Sequence, residues 1–385
     1  MKKITAFMLA AALFLLPTID CFAEEEVSIT APAYCLMEKD SRKVLLEKNS
    51  HEKRSCASIT KVMTLVLTFE AIEEGRLSLD DTLSASAHAS SMGGSDIWLK
   101  EGETMTVDDL LKATLIMSAN DAAVVLAEAV SGSEEAFVNE MNDKAAALGL
   151  ADTTFKNCNG LDEEGHLTSA YDVALMSCEL LNYELIFNYT KVWIDYLRNG
   201  DTQLVNTNKL IKSYRGITGL KTGTTSLAGS CISATAEREG LHLVSVILGA
   251  DTTENRFKDA AALLNYGFAN YCIVTPEVTL PDKVEVSDSM VPYISLRFEG
   301  SRGILAGIKD KNSVTAEFRL KDELRAPIAK GDIVGSVIYR IKDEVLCELP
   351  VFADSDAEEI SFTSVLKRIV KLLFSSSKTN QHAVT

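Results

Sequence analysis

Hydrophobic and polar positions change their period several times along the chain, and each change marks an element. The text APAYCLMEKDSRKVLLE, from 31 to 47, predicts two strands around a charged turn at Lys39-Asp40-Ser41-Arg42. In ASITKVMTLVLTFEAIEEG the apolar residues Val62, Leu65, Val66, Phe69 and Ile72 recur at helical spacing, and Gly75 supplies a stop. A second helical block is predicted from Val107 through Val130, with Ser118-Ala119-Asn120-Asp121 inside it, and a third from Glu134 to Leu148, ended by Gly149. After Gly216 the pattern changes to strands: GITGLKTGTT, SCISATAE and HLVSVILGA, with Glu239-Gly240 as a hairpin turn. A helix from Asn255 to Ala269 follows, with Phe257, Ala261, Leu264 and Phe268 on one face. Helices before and after a late antiparallel sheet predict an α/β layered domain ending near Cys272.

Beyond Val274 short β-type runs are separated by prolines and glycines, which predicts a small all-β domain. The acidic linker DSDAEE then leads to SFTSVLKRIVKLLF. That segment sets Phe362, Val365, Leu366, Ile369, Val370 and Leu373 against Lys367, Arg368 and Lys371, the pattern of a helix lying on a membrane surface. Packing on the protein's own surface is the alternative. At the other end, Lys2 and Lys3, an apolar run from Ala6 to Leu16 and Cys21-Phe22-Ala23 form a secretory leader. An uncleaved anchor is disfavoured, because spanning takes about 20 apolar residues, and lipoprotein processing at Cys21 is disfavoured by Asp20. The expected division is 1–23 signal peptide, 24–272 α/β domain, 273–357 C-terminal β domain and 358–385 amphipathic helix and tail. The mature protein is expected outside the cytoplasm, at the outer face of the cytoplasmic membrane.

Composition changes this picture little. An apolar fraction of 46% and a charged fraction of 24% are those of a globular protein. The net charge of -17 argues against a nucleic-acid partner, which needs a local excess of Lys and Arg. Of eight cysteines, Cys21 goes with the leader and no C-x-x-C pair exists, so free, mostly buried thiols are expected. The five histidines are scattered and no H-E-x-x-H occurs; no metal or other cofactor is implied.

Three short motifs carry candidate chemistry. In Ser58-Ile59-Thr60-Lys61 a serine and a lysine lie three apart on one helix face, so the amine reaches the hydroxyl. A desolvated lysine can take the proton that keeps serine a poor nucleophile, and backbone N–H groups at a helix start suit an oxyanion. The same spacing occurs at Ser50, Ser364 and Ser375, but only Ser58 opens an apolar helix. Ser118-Ala119-Asn120 offers a hydroxyl for proton relay and an amide to clamp a peptide group. In Lys221-Thr222-Gly223, alternation sends Lys221 and Gly223 to one side of a strand; glycine leaves room for a substrate backbone and lysine suits a carboxylate.

Together and in this order, the three motifs resemble the set shared by class A β-lactamases and penicillin-binding proteins. The wider text CASITKVMT, LIMSANDAAVVLAE, GLKTGTTSLAGSCISATAER and ENRFKDAAALLNYGF resembles the low-molecular-mass serine D-alanyl-D-alanine carboxypeptidases over most of 30–272. More loosely, APIAKGDIVGSVI extends the likeness into the β domain, and the tail is typical. The resemblance implies a transpeptidase-like antiparallel sheet flanked by helices. It also implies an acyl-enzyme on Ser58, with Lys61 as base and Ser118 passing protons toward the leaving amine near Lys221. Asn120 would hold the substrate amide, the N–H groups of Ser58 and Thr224 the oxyanion, and Arg256 the terminal carboxylate, with Thr222 and Gly223 on the binding strand. Its partners would be peptidoglycan stem peptides, β-lactams as covalent inhibitors, and the membrane surface. Two positions depart from the family: Cys56 stands where proline is usual, and no histidine precedes Gly160-Leu161, although His166 and Asp172 keep their counterparts. The competing readings are a class A-like β-lactamase, which would carry S-D-N and E-x-x-L-N where this chain has Ser118-Ala119-Asn120 and Glu179-Leu180-Leu181-Asn182, a silent wall-binding scaffold, and an endopeptidase.

Overall fold

The computed structural model describes residues 27–300 and 303–376, with side chains up to 370. The expected leader, Leu373, Lys371 and the terminal tail fall wholly or in their side chains outside the described residues. Strands β1 (Ala33–Glu38) and β2 (Val44–Lys48) form the expected hairpin. The chain then makes a 3-10 turn at Ala57–Thr60 and enters helix α1 (Lys61–Glu73). A small hairpin follows, β3 (Thr82–Ser84) with β4 (Thr104–Thr106).

The block expected as one helix from Val107 through Val130 is three pieces. They are α2 (Val107–Lys112), a π-type turn at Ala113–Met117, and α3 (Asn120–Ser131). Between them Ser118 takes the left-handed conformation at φ 68°, which no right-handed helix can continue through. Next come α4 (Glu134–Ala147) and α5 (Ala170–Leu180), each capped by a serine side chain, Ser133 and Ser169. A second small hairpin, β5 (Ile194–Leu197) and β6 (Thr202–Val205), precedes three long strands. These are β7 (Ile217–Thr225), β8 (Gly229–Arg238) and β9 (Leu241–Ala250).

They join the first hairpin in an antiparallel sheet of order β2-β1-β9-β8-β7, so β7 is an edge strand. Alternate residues serve opposite faces: Val244, Val246 and Leu248 of β9 face the core under α1, α3 and α5, whereas Leu243 and Ile247 face the core under the next helix. That helix is α6 (Thr253–Asn270). Its buried face is Arg256, Asp259, Ala260, Leu263, Leu264 and Gly267, not centred on the expected Phe257, Ala261 and Phe268, which are only half-buried. The polar pair explains the offset: Asp259 accepts from the backbone N–H of Thr30 and Ala31, and Arg256 reaches β7.

β10 (Tyr271–Val274) runs across the expected boundary at 272/273 and leads into the C-terminal β domain. There β11 (Lys283–Glu285), β12 (Tyr293–Arg297), β13 (Ile304–Gly307), β14 (Val314–Leu320), β15 (Ile333–Ile341) and β16 (Glu344–Ala353) follow. Five of them form a sheet of order β11-β12-β16-β15-β14, and β13 pairs with β10. Helix α7 (Phe362–Ser376) ends the described chain. Phe362 is 84% exposed, and Val365, Leu366, Ile369 and Val370 are exposed too, so the described part of this apolar face is open rather than packed on the protein.

Candidate active site

Ser58 sits in the 3-10 turn before α1, half-buried, and Lys61 is the first residue of the helix, fully buried. The Lys61 amine has three polar neighbours: Ser58 Oγ at 3.1 Å, Asn120 Oδ1 at 2.6 Å and the Asn159 carbonyl at 2.7 Å. Two of these are carbonyl oxygens and can only accept. A neutral amine has two N–H groups to satisfy them, which leaves its lone pair for the Ser58 hydroxyl. Burial lowers the Lys61 pKa to about 7, so the neutral form is populated near neutrality.

The left-handed Ser118 is placed beside the second lysine. Lys221, buried on β7, donates to Ser118 Oγ at 2.7 Å and to the Thr222 carbonyl at 3.0 Å. Burial, then the charges of Lys61 and Arg256, push Lys221 well below the usual lysine range. Asn120 opens α3 and is fixed at both ends. Its backbone N–H donates to the Ser95 carbonyl at 2.6 Å, and its Nδ2 donates to the Gly93 carbonyl at 2.6 Å. Asp121 completes that junction by accepting from the N–H groups of Ile97 and Leu99.

Two glycines pack closely against the nucleophile turn. A Cβ on Gly223 would lie 2.7 Å from the Cys56 carbonyl oxygen and 2.9 Å from the Ser58 nitrogen. One on Gly160, at φ +85°, would lie 2.0 Å from the Ala57 carbonyl oxygen. Gly223 therefore brings β7 against the serine, a different reason for glycine from the substrate clearance expected of it. Thr222 turns to the other side and donates to Thr207 Oγ1 at 2.7 Å. Arg256 is buried behind the strand, where Nη1 donates to the Gly223 carbonyl at 3.0 Å and Thr224 Oγ1 at 2.9 Å. All nine candidate residues thus lie on one continuous set of contacts around β7, α1 and the start of α3.

The neighbours named at the departures are structural in their contacts. Cys56 is buried against Thr60, and burial pushes its thiol up to about 12, as it raises Cys158 and Cys231, so none is a ready nucleophile. The seven described cysteines are all free, five of them buried. His166 takes the Lys156 N–H on Nδ1, which leaves Nε2 to donate to Thr60 Oγ1 at 2.8 Å. Asp172 accepts from the Asp152 N–H and the Thr153 hydroxyl, while Ser169 caps its helix. Glu179 is engaged with Arg42 at 3.0 Å and Lys144 at 3.6 Å. The hydrogen bonds of Lys61, Ser118, Asn120 and Lys221 go to hydroxyls and carbonyls, none to a carboxylate. No group of His, Cys, Asp and Glu suited to a metal occurs among the described residues.

Sequence reasoning missed Asn159, Gly160, Gly93 and Thr207. Two of these act through backbone carbonyls, which any residue type supplies. Gly160 alone left a signal, the Asn-Gly pair that marks a tight turn.

Comparison with known proteins places the chain in a family. Residues 20–252 match the family described as D-alanyl-D-alanine carboxypeptidase, and 304–359 match the C-terminal domain of penicillin-binding protein 5. The chain is 41% identical over 381 residues to the D-alanyl-D-alanine carboxypeptidase DacF of Bacillus subtilis, covering 96% of this chain and 98% of that one. It is 32% identical over 382 residues to DacC of Escherichia coli, covering 92% and 91%. Penicillin-binding protein 5 from Haemophilus influenzae superposes with a TM-score of 0.75 at 27% identity, over 86% of this chain and 98% of that one. Penicillin-binding protein D2 from Listeria monocytogenes, in its ampicillin-bound form, does so with a TM-score of 0.57 at 34% identity, over 62% and 98%. This chain belongs to the D-alanyl-D-alanine carboxypeptidase family of serine peptidases.

Proposed function

We propose that Ser58 is the nucleophile of this D-alanyl-D-alanine carboxypeptidase and Lys61 its general base. The observation that carries the reading is the Lys61 amine, held by two carbonyl oxygens with its remaining valence on Ser58. Ser58 Oγ attacks the carbonyl carbon between two terminal D-alanines as its proton passes to Lys61 Nζ. The oxyanion forms against the N–H groups of Ser58 and Thr224, on the turn and the strand that Gly223 lets approach closely. The peptide C–N bond then breaks as the proton held on Lys61 is passed through Ser118 to the leaving amine. Water then attacks the ester carbonyl, Lys61 takes its proton and hands it to Ser58 Oγ as the ester C–O bond breaks, and the shortened peptide leaves as its carboxylate.

Asn120 Nδ2 and the β7 edge, with Thr222 bracing that strand from its other side, hold the substrate backbone, and Lys221 and Thr224, the latter held by Arg256, receive the terminal carboxylate. An anion there offsets the neighbouring cations and lets Lys221 carry its charge. Among the described residues no carboxylate is hydrogen-bonded to Lys61, Ser118, Asn120 or Lys221, which supports long-lived β-lactam adducts over a β-lactamase. The intact nucleophile–base pair likewise has no purpose in a binding-only scaffold. We further propose a catalytic domain from 24 and a β domain to 357 that meet within β10, near the expected 272/273, export of the chain after removal of 1–23, and attachment to the membrane surface through α7. No helix among the described residues is long and apolar enough to cross a membrane.

The test is D-alanine release from a diacetyl-Lys-D-Ala-D-Ala peptide. Wild type should release it and Ser58→Ala should not; release by the variant would mean that another residue is the nucleophile.

A further inference from the structure

The loop 157–163 links the Lys61 amine to the rim of the groove. At its inner end the Asn159 carbonyl takes the amine at 2.7 Å, and Gly160 is seated against Ala57 and Ser58. Within it Gly160 N–H donates to Asn157 Oδ1 at 2.8 Å, Leu161 N–H to Asn159 Oδ1 at 3.0 Å, and Asn157 Nδ2 to the Leu161 carbonyl at 3.0 Å. At its outer end Asp162 reaches the β7–β8 turn. The Thr225 hydroxyl donates to Asp162 Oδ1 at 2.6 Å and the Ser226 hydroxyl to Oδ2 at 3.4 Å. Thr225 follows Thr224 directly, on the strand that carries Lys221.

Asp162 is exposed, so water would satisfy its carboxylate if these bonds were absent. They are not needed to rescue a buried polar group, and their consequence is geometric: they close the short loop between the two walls of the site. Resting on the acyl-enzyme reading above, we propose that Asp162 is a positioning residue. By clasping Thr225 and Ser226 it fastens loop 157–163 across the rim and keeps the Asn159 carbonyl on the Lys61 amine. Loss of the clasp lets the loop lift, the amine loses one of its two carbonyl partners, and its lone pair is no longer directed at Ser58. The carboxylate works here as a double acceptor, so an amide oxygen can replace half of it.

The experiment measures the rate of Ser58 acylation by benzylpenicillin, with amide hydrogen exchange over 157–163, in wild type, D162A, D162N, T225V and D162A/T225V. D162A and T225V should each slow acylation by about tenfold, the size expected for losing one charge-assisted hydrogen bond. The double variant should lose clearly less than the product of the two single losses, because the Thr225–Asp162 bond is removed in both, while the Ser226 bond to Asp162 and the Ala228 bond to Thr225 are lost separately. D162N should stay within about threefold of wild type, and Gly160 and Leu161 should exchange faster in D162A. Wild-type acylation by D162A, unchanged exchange, or additive losses in the double variant would overturn the clasp. T225V and D162N decide the matter if D162A does not fold. If wild type itself forms no adduct, the acyl-enzyme reading fails, while the exchange comparison still decides whether Asp162 holds the loop.

Discussion

The two sheets of this molecule bury different things. Around the first lie Lys61, Lys221, Arg256, Asp121, Asp172, Asp259, His166 and His242, all buried, with many threonines and serines among them. Past 273, among the described residues, the buried set is apolar: Val284, Ile294, Val337 and Val351 are typical, and Tyr339 brings the one phenol. Burying an amine or carboxylate is costly unless it is bonded, so such groups persist only where their contacts repay the loss. In the first region most of those contacts converge on Ser58 or brace the loops that face it. The comparison teaches that polar burial locates the chemistry, and that the second sheet is built for packing and placement.

The sharpest way to break this contrast is to remove a buried amine. Lys61→Met should lower D-alanine release by about 10²- to 10⁴-fold, the usual worth of a general base, while leaving the fold at least as stable near pH 6, where the wild type buries a charge. The pH dependence follows from the same group. Its folded pKa, about 7, lies below the ordinary lysine value, so kcat/KM should rise as pH rises through about 7 and then level off. The unfolded chain holds a proton on Lys61 between about 7 and about 10.4 that the folded chain does not. Stability from this group therefore increases with pH across that window, and Lys61→Met should flatten both profiles. A pH-independent kcat/KM from 6 to 8 would detach Lys61 from the base role.

Next in size is Gly160→Ala. Its Cβ would meet the Ala57 carbonyl oxygen at 2.0 Å, backbone against backbone, at a φ of +85° that alanine also resists. Acylation should fall by at least about tenfold, with a lowered melting temperature, whereas alanine at the open Gly331 should leave acylation unchanged. The smallest effect belongs to the far end. Truncation after Ser361, which keeps the backbone bonds of Ala357, Glu358 and Ile360 to the β domain, should leave soluble peptide cleavage within about twofold of wild type and abolish sedimentation with anionic vesicles. A truncated protein that still sediments would refute attachment through α7.

Much of this arrangement was legible before the structure. Helical spacing placed α1, and β-branched runs placed β7, β8 and β9, because those elements are set by burial on a regular period. The break at Ser118 was not legible, since the apolar pattern runs straight through it and only the tertiary bond from Lys221 rewards the left-handed turn. The inner face of α6 was misplaced for a similar reason: hydrophobicity cannot report that Arg256 and Asp259 point inward to brace backbone. The three motifs identified the side chains of the site. What they could not disclose was its backbone, namely the carbonyls of Asn159 and Gly93 and the close approach at Gly160.

The most direct test of the central claim is mass spectrometry of the benzylpenicillin-treated protein after proteolysis. A single adduct on the peptide holding Ser58, absent in Ser58→Ala, is the predicted result. An adduct elsewhere, or one that persists in Ser58→Ala, would contradict the assignment of Ser58 and Lys61 as the reacting pair.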